Sequence, residues 1–137
     1  MKKLFYMALV ALALTGCANA KKEEKALQKE VLDSHDKVMG DDEKAMINKM
    51  KLDTLIQKAD SLKIDQQTAK ALSAKIVYAD DAMSDWMKNL NLDNSGKNHD
   101  DIMKYWRSQH TQVKQIDSLL VSATTEADVF IKKIIKK

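Results

Sequence analysis

Apolar residues recur in steps of three and four along two long stretches of the chain. In the first of these stretches, the repeating positions are Ala69, Leu72, Ile76, Ala79, Met83, Trp86 and Leu90. In the second, they are Ile102, Trp106, Gln109, Val113, Ile116, Leu120, Ala123, Ala127, Phe130 and Ile134. This spacing places the side chains on one face of an α-helix, as in helices that pack along a seam. Each stretch therefore predicts a long amphipathic helix.

The chain before these two stretches follows the same repeat with more polar interruptions. Its repeating positions are Leu27, Val31, Ser34, Val38, Asp41, Ala45, Asn48, Leu52, Leu55, Ala59 and Leu62. Because the repeat continues through Gly40, we expect a kinked first helix there rather than a chain reversal. The alternative is a break at Gly40-Asp41-Asp42, which would give four helices.

Two short polar segments separate the predicted helices. Lys63-Ile64-Asp65 joins the first to the second, and Asp65 has the short acidic side chain of a helix N-cap. Asp93-Asn94-Ser95-Gly96 is rich in turn-forming residues. We expect helices over roughly 23–62, 65–92 and 98–136. The predicted fold is all-α, an antiparallel three-helix bundle with long helices packed up-down-up.

Composition agrees with a helical domain. The 137 residues include no proline and only three glycines, and the single cysteine excludes an internal disulfide. Without Lys2 and Lys3, the 23 basic residues become 21, against 20 acidic ones. This balance lacks the excess positive charge of nucleic-acid-binding proteins, so we expect no nucleic-acid partner.

The start of the chain has the layout of an export signal. Lys2 and Lys3 precede a short apolar run, residues 4–13, which is too short to span a bilayer because a spanning helix needs about 20 apolar residues. Leu14-Thr15-Gly16-Cys17 follows and resembles the lipobox of bacterial lipoproteins, whose cysteine receives a diacylglyceryl group on its sulfur. The resemblance implies cleavage before Cys17 and anchoring of the mature chain by its acyl chains.

These features divide the chain into three parts. Residues 1–16 are the predicted lipoprotein signal peptide, residues 17–22 the lipidated cysteine with a short tether, and residues 23–137 the helical domain. Ala18 in place of an aspartate indicates, by the sorting rule of enteric bacteria, the outer rather than the inner membrane. Lys22-Glu23-Glu24 resembles a surface-export signal but is also an ordinary charged helix start, so the periplasmic side and the cell surface both stay open.

No catalytic motif is recognisable in the chain, which has no phosphate-binding glycine loop and no nucleophile elbow. We therefore expect a non-enzymatic protein without a resident cofactor. One group of residues could bind a ligand: His35 with Met39, and Met83 with Met87, each pair four residues apart. Thioether and imidazole groups suit Cu(I). The alternatives are that these methionines fill the core or form an apolar-ligand pocket.

Three short segments resemble a known family. Ser34-His35-Asp36-Lys37-Val38-Met39, Ala82-Met83-Ser84-Asp85-Trp86-Met87 and Met103-Lys104-Tyr105-Trp106 are similar to segments of small helical lipoproteins from Bacteroidota-type bacteria, some labelled "viral A-type inclusion protein". The resemblance implies a helical bundle on a lipid anchor and no particular activity. Members often have proline after the Val-Met pair, where this chain has Gly40.

These observations lead to two hypotheses of function. The first is a membrane-anchored, non-enzymatic helical protein that binds another protein or an envelope component. The second is an envelope protein that binds Cu(I) through His35, Met39, Met83 and Met87.

Overall fold

The computed structural model describes the backbone of residues 2–136 and the side chains of residues 19–136. Its helices are α1 (Lys2–Gln57), α2 (Ala59–Leu62), α3 (Gln66–Asn89) and α4 (His99–Ile135). No β-strand occurs within residues 2–136. The all-α prediction is confirmed. The side chains of Cys17 and of the predicted signal peptide, residues 1–16, lie outside the described residues.

The four helices pack together around one apolar core. α1 contributes buried side chains at intervals of seven residues, and α3 and α4 contribute theirs in steps of three and four. The buried core consists of Val31, Val38, Ala45, Leu52, Ala69, Leu72, Ile76, Ala79, Met83, Trp86, Ile102, Trp106, Val113, Ile116, Leu120, Ala123, Ala127 and Ile131. Most of these positions follow the repeat in the sequence. Near the end of α4 the buried residue is Ile131, whereas the repeat predicted Phe130 and Ile134, which are half-buried.

α1 passes through Gly40 as one helix, so the alternative of a break at Gly40 is wrong. The physical reason is the unbroken seven-residue repeat: Val38 and Ala45, on either side of the glycine, are both buried on the same face. Asp41 also supports this segment, because it accepts hydrogen bonds from the ammonium groups of Lys37 at 2.9 Å and Lys44 at 2.8 Å.

The interruption lies instead at Lys58, between α1 and α2. The side-chain amide of Gln66 donates to the carbonyl oxygen of Ile56 at 3.2 Å, so the first residue of α3 satisfies one of the last carbonyls of α1. Lys63 then takes a left-handed conformation with φ 50° and closes α2. The predicted first helix therefore ends at Gln57, followed by a single separate turn. At its other end, α1 includes residues 19–22, which the sequence assigned to the tether.

The predicted turns are confirmed, and each is stabilised by a capping side chain. Asp65 accepts the backbone N–H groups of Gln67 and Thr68 at 3.0 and 3.1 Å, as expected of an N-cap. Asn98 caps α4 by accepting the N–H of Asp101 at 2.9 Å. Between α3 and α4, Gly96 has φ 74°, a left-handed conformation that favours glycine.

Side-chain pairs between helices establish the direction in which the helices run. His99 Nδ1 lies 2.8 Å from Glu24 Oε1, and Asn48 donates to Asp128 at 2.9 Å, so α1 and α4 are parallel. Asp53 accepts from the Ser73 hydroxyl at 3.1 Å and His35 contacts Met87, so α3 is antiparallel to α1. Residues 19–24 consequently lie at the same end of the molecule as the loop between α3 and α4.

Candidate functional site

Two of the four predicted metal ligands meet between α1 and α3. His35 Nε2 lies 3.4 Å from Met87 Sδ, although 52 residues separate them in sequence. The antiparallel packing of the two helices produces this contact. Met39 follows His35 by one helical turn and is 39% exposed, whereas Met83 is buried in the core and 1% exposed. The structure therefore pairs one histidine with one methionine at the surface and gives the other two methionines different environments.

The surroundings of His35 orient its ring. Nδ1 lies 3.0 Å from Asp36 Oδ1, and the ring centroid is 6.0 Å from that of Trp86. When Nδ1 donates its proton to Asp36, Nε2 presents a lone pair toward the Met87 sulfur. A carboxylate that holds one ring nitrogen while the other binds a ligand is the usual arrangement of a metal-binding histidine. The sequence did not single out Asp36, although it directly follows His35.

Trp86 is held in place from α4. Its indole N–H donates to Gln109 Oε1 at 2.8 Å, and its side chain is 5% exposed. The sequence treated Gln109 only as a polar residue on an otherwise apolar face. Its amide oxygen instead accepts the indole N–H at the edge of the core. This hydrogen bond holds the Trp86 ring in place beside His35.

The three histidines do not gather into one site. His99 lies at the start of α4, where Nδ1 is 2.8 Å from Glu24 and Nε2 is 3.8 Å from Glu23. Glu24 precedes His35 by eleven residues, about 16 Å along α1 at 1.5 Å per residue. Within the part of the chain whose side chains are described, no three His, Cys, Asp or Glu residues form a group that could hold a metal ion.

Two further polar clusters cross the helix contacts. Asn48 is 4% exposed and donates to the Thr124 carbonyl oxygen at 3.3 Å as well as to Asp128. On the α3 side of α1, burial raises the pKa of the Asp42 carboxyl, and the nearby Asp80 carboxylate raises this pKa further. The second cluster therefore brings two carboxyl groups close together between α1 and α3. Such contacts across helices leave no local signal in a sequence.

No protein-family model, curated protein or solved structure matches the chain. Among the residues described, none of the helices is both long and apolar enough to cross a membrane.

Proposed function

We propose that this protein is a bacterial lipoprotein whose helical part is non-enzymatic and binds another protein or an envelope component. The basic start, the short apolar run and the Leu14-Thr15-Gly16-Cys17 segment support cleavage before Cys17 and a lipid anchor there. The expected location is the outer rather than the inner membrane. Mass spectrometry of the native protein should find Cys17 as an acylated N-terminus, and an intact Met1 would contradict the anchor.

Within this proposal, residues 23–137 form an antiparallel three-helix bundle in which α2 belongs to the first turn. Cross-helix pairs support the up-down-up order: Asn48 with Asp128 for α1 and α4, and Asp53 with Ser73 for α1 and α3. Residues 19–24 lie at the end closest to the anchor. The bundle then extends away from the membrane for about 57 Å, the length of the 38 residues from 20 to 57 at 1.5 Å each.

The observation that carries partner binding is a methionine face on α1, formed by Met39, Met46 and Met50. Their spacing of seven and four residues aligns them on one side of the helix. Met39 is 39% and Met50 66% exposed, and Met46 packs against the core. Exposed methionine is flexible and polarisable, and it is frequent where a surface adapts to a protein partner. A partner would cover these apolar side chains.

A photo-crosslinking amino acid at position 50 tests this in the cells that make the protein. We expect ultraviolet light to join position 50 to a second protein or an envelope component. The control carries the same amino acid at position 121, because Val121 is 45% exposed on α4, away from the methionine face. If the chain labelled at position 50 forms no crosslinked product, or forms the same products as the chain labelled at position 121, the methionine face does not bind a partner.

The contact between His35 and Met87 favours Cu(I) binding as a second candidate function. For metal bonds of about 2.0 Å to nitrogen and 2.3 Å to sulfur, as in zinc sites, two ligands at a tetrahedral angle lie about 3.5 Å apart. The observed separation of Nε2 and Sδ is 3.4 Å. A soft cation bound by both atoms would fit with little movement, and Met39 is within one turn of His35 as a further sulfur donor.

Anaerobic Cu(I) titration of the full chain carrying Cys17→Ser tests the second candidate, because the substitution removes the competing thiol. We expect one tight equivalent that is lost in the Met87→Leu variant. The matched control is Met50→Leu, which removes an exposed methionine far from His35. Binding no tighter than that of free methionine peptides, or equal losses in both variants, would exclude the site.

A further inference from the structure

The outer side of the contact between α3 and α4 is an open groove, here called the α3–α4 groove. Four recesses follow one another along it, and adjacent recesses share the lining residues Thr68, Glu126 and Leu119. The groove follows α3 over its full 24 residues, about 36 Å at 1.5 Å per residue. It is therefore long enough to receive whole helices.

Apolar and small side chains line the middle of this groove. Ala71, Ala74 and Ser122 surround a recess of about 420 Å³. Among the larger residues that line the groove, Tyr78 is 66%, Leu119 40% and Val129 64% exposed. Small residues let another helix approach closely, and the larger exposed side chains provide apolar area to bury against it.

Charges on the two sides of the groove have opposite signs at matching heights. Because α3 and α4 are antiparallel, Lys75 lies level with Glu126, and their side chains form an ion pair. One end of the groove carries Asp65 at the start of α3 and Lys133 on the α4 side, with Lys63 in the turn that precedes α3. If another molecule placed its α4 beside this α3 at the same height, side chains of opposite charge would face each other.

We propose that a second copy of this chain covers the α3–α4 groove, with the two-fold axis parallel to the helices. α3 of each copy then lies beside α4 of the other at the same height, so Lys75 faces Glu126 of the second copy and Asp65 lies near its Lys133. All neighbouring helices in the resulting four-helix contact are antiparallel, the usual arrangement of such bundles. The inference goes beyond the proposed function, because the copies can pair whether or not a further partner binds.

The direction of the axis also suits an anchored protein. A two-fold axis along the helices places residue 19 of both copies at the same end, so that both chains can reach one membrane. An axis across the helices would place these ends on opposite sides of the pair. Each helix is about 10 Å across with its side chains, so the face formed by α3 and α4 is about 20 Å wide and 36 Å long. This is roughly 700 Å² per copy, close to the roughly 800 Å² per partner of stable interfaces.

Sedimentation equilibrium of the full chain tests the pairing, in a detergent matched in density to the solvent so that only polypeptide mass is measured. We expect wild-type dimers at micromolar concentration. Leu119→Lys should weaken dimerisation at least about tenfold, because the lysine would be buried without a partner. The matched control is Val121→Lys, since Val121 is 45% exposed but does not line the groove. A monomeric wild type, or equal effects of the two lysines, would overturn the proposal.

A charge exchange tests the direction of the axis. Lys75→Glu and Glu126→Lys each create like-charge pairs between identical copies, so each variant alone should dimerise more weakly than wild type. Mixing the two variants restores opposite charges across both copies of the contact, and we expect mixed dimers to form in preference. Each variant also has like charges at positions 75 and 126 of its own chain, and mixing does not change that repulsion. If the mixture associates no better than the separate variants, Lys75 does not face Glu126 of a second copy.

Discussion

Gly40 provides the sharpest test of how α1 is built. It lies in the interior of a helix, on the exposed side, between the buried residues Val38 and Ala45. A methyl group built on its Cα would meet no atom within 4 Å apart from the neighbouring residues and backbone of its own helix. Gly40→Ala therefore adds a side chain without a steric cost, and the helix should gain from it.

The magnitude follows from the helix propensities of the two residues. Glycine in a helix interior is less favourable than alanine by roughly 0.5–1 kcal/mol, chiefly because glycine loses more backbone freedom on folding. We expect Gly40→Ala to raise the free energy of unfolding by about that amount. For a chain of this size, the corresponding rise in Tm is roughly 2–6 °C.

Urea unfolding of the full chain, followed by tryptophan fluorescence, measures this change. Trp86 and Trp106 are 5% and 0% exposed, so their emission reports the core. The control is Gly96→Ala, because Gly96 has φ 74° and alanine there should cost about 1 kcal/mol. The slopes of the unfolding curves should agree, so that midpoints can be compared.

A Gly40→Ala variant that unfolds at lower urea than wild type would refute this reasoning. It would mean that α1 needs the glycine for a bend, as the sequence pattern predicted when it favoured a kink at this position. Opposite effects at Gly40 and Gly96 are the expected result, because only Gly96 has a left-handed conformation.

Three further predictions concern single side chains. Burial and the nearby Asp80 raise the pKa of Asp42 in the folded protein. The unfolded chain therefore releases this proton at a lower pH than the folded protein does. As the pH rises above 3.8, ionisation of Asp42 consequently lowers the free energy of unfolding. Asp42→Asn should therefore increase the urea midpoint at about pH 7 and change it little at about pH 3; equal gains at both pH values would contradict this. Lys63 has φ 50°, so Lys63→Gly should stabilise the fold by about 1 kcal/mol in the same assay, and a loss would show that the left-handed turn is not strained. Asn48→Ala should cost about 1–3 kcal/mol, because Asp128 and the Thr124 carbonyl lose their donor, whereas a cost below about 0.5 kcal/mol would mean that water replaces it.

The periodic pattern was sufficient to predict the buried faces of α1, α3 and α4, although Leu62, the last position of the first repeat, is 46% exposed. Val31, Val38, Ala45 and Leu52 were all expected in the core, and all are buried. Each such assignment depends only on the geometry of one helix, because residues seven apart lie on the same side whatever the neighbours are. Turn positions are similarly local, and Asp65 caps α3 as predicted.

The ends of the helices depended on the tertiary structure. α3 was expected to reach residue 92 and ends at Asn89. The backbone N–H of Asn91 donates at 2.7 Å to the hydroxyl of Tyr105, fourteen residues later, so a side chain of α4 binds the departing chain. The break at Lys58 likewise accompanies the bond from Gln66 to Ile56. Helix propensities describe only the local sequence, so they cannot predict hydrogen bonds between residues of different helices.

For the candidate site, the sequence determined the residue types, and the packing of the helices decided their neighbours. His35 and Met87 were singled out as possible ligands, but their 3.4 Å contact depends on how far α1 and α3 are shifted and rotated against each other. A shift of one residue along a helix turns a side chain by about 100°, enough to remove it from the site. The helical repeat specifies the buried face of each helix, and only the interlocking of distant side chains specifies that shift.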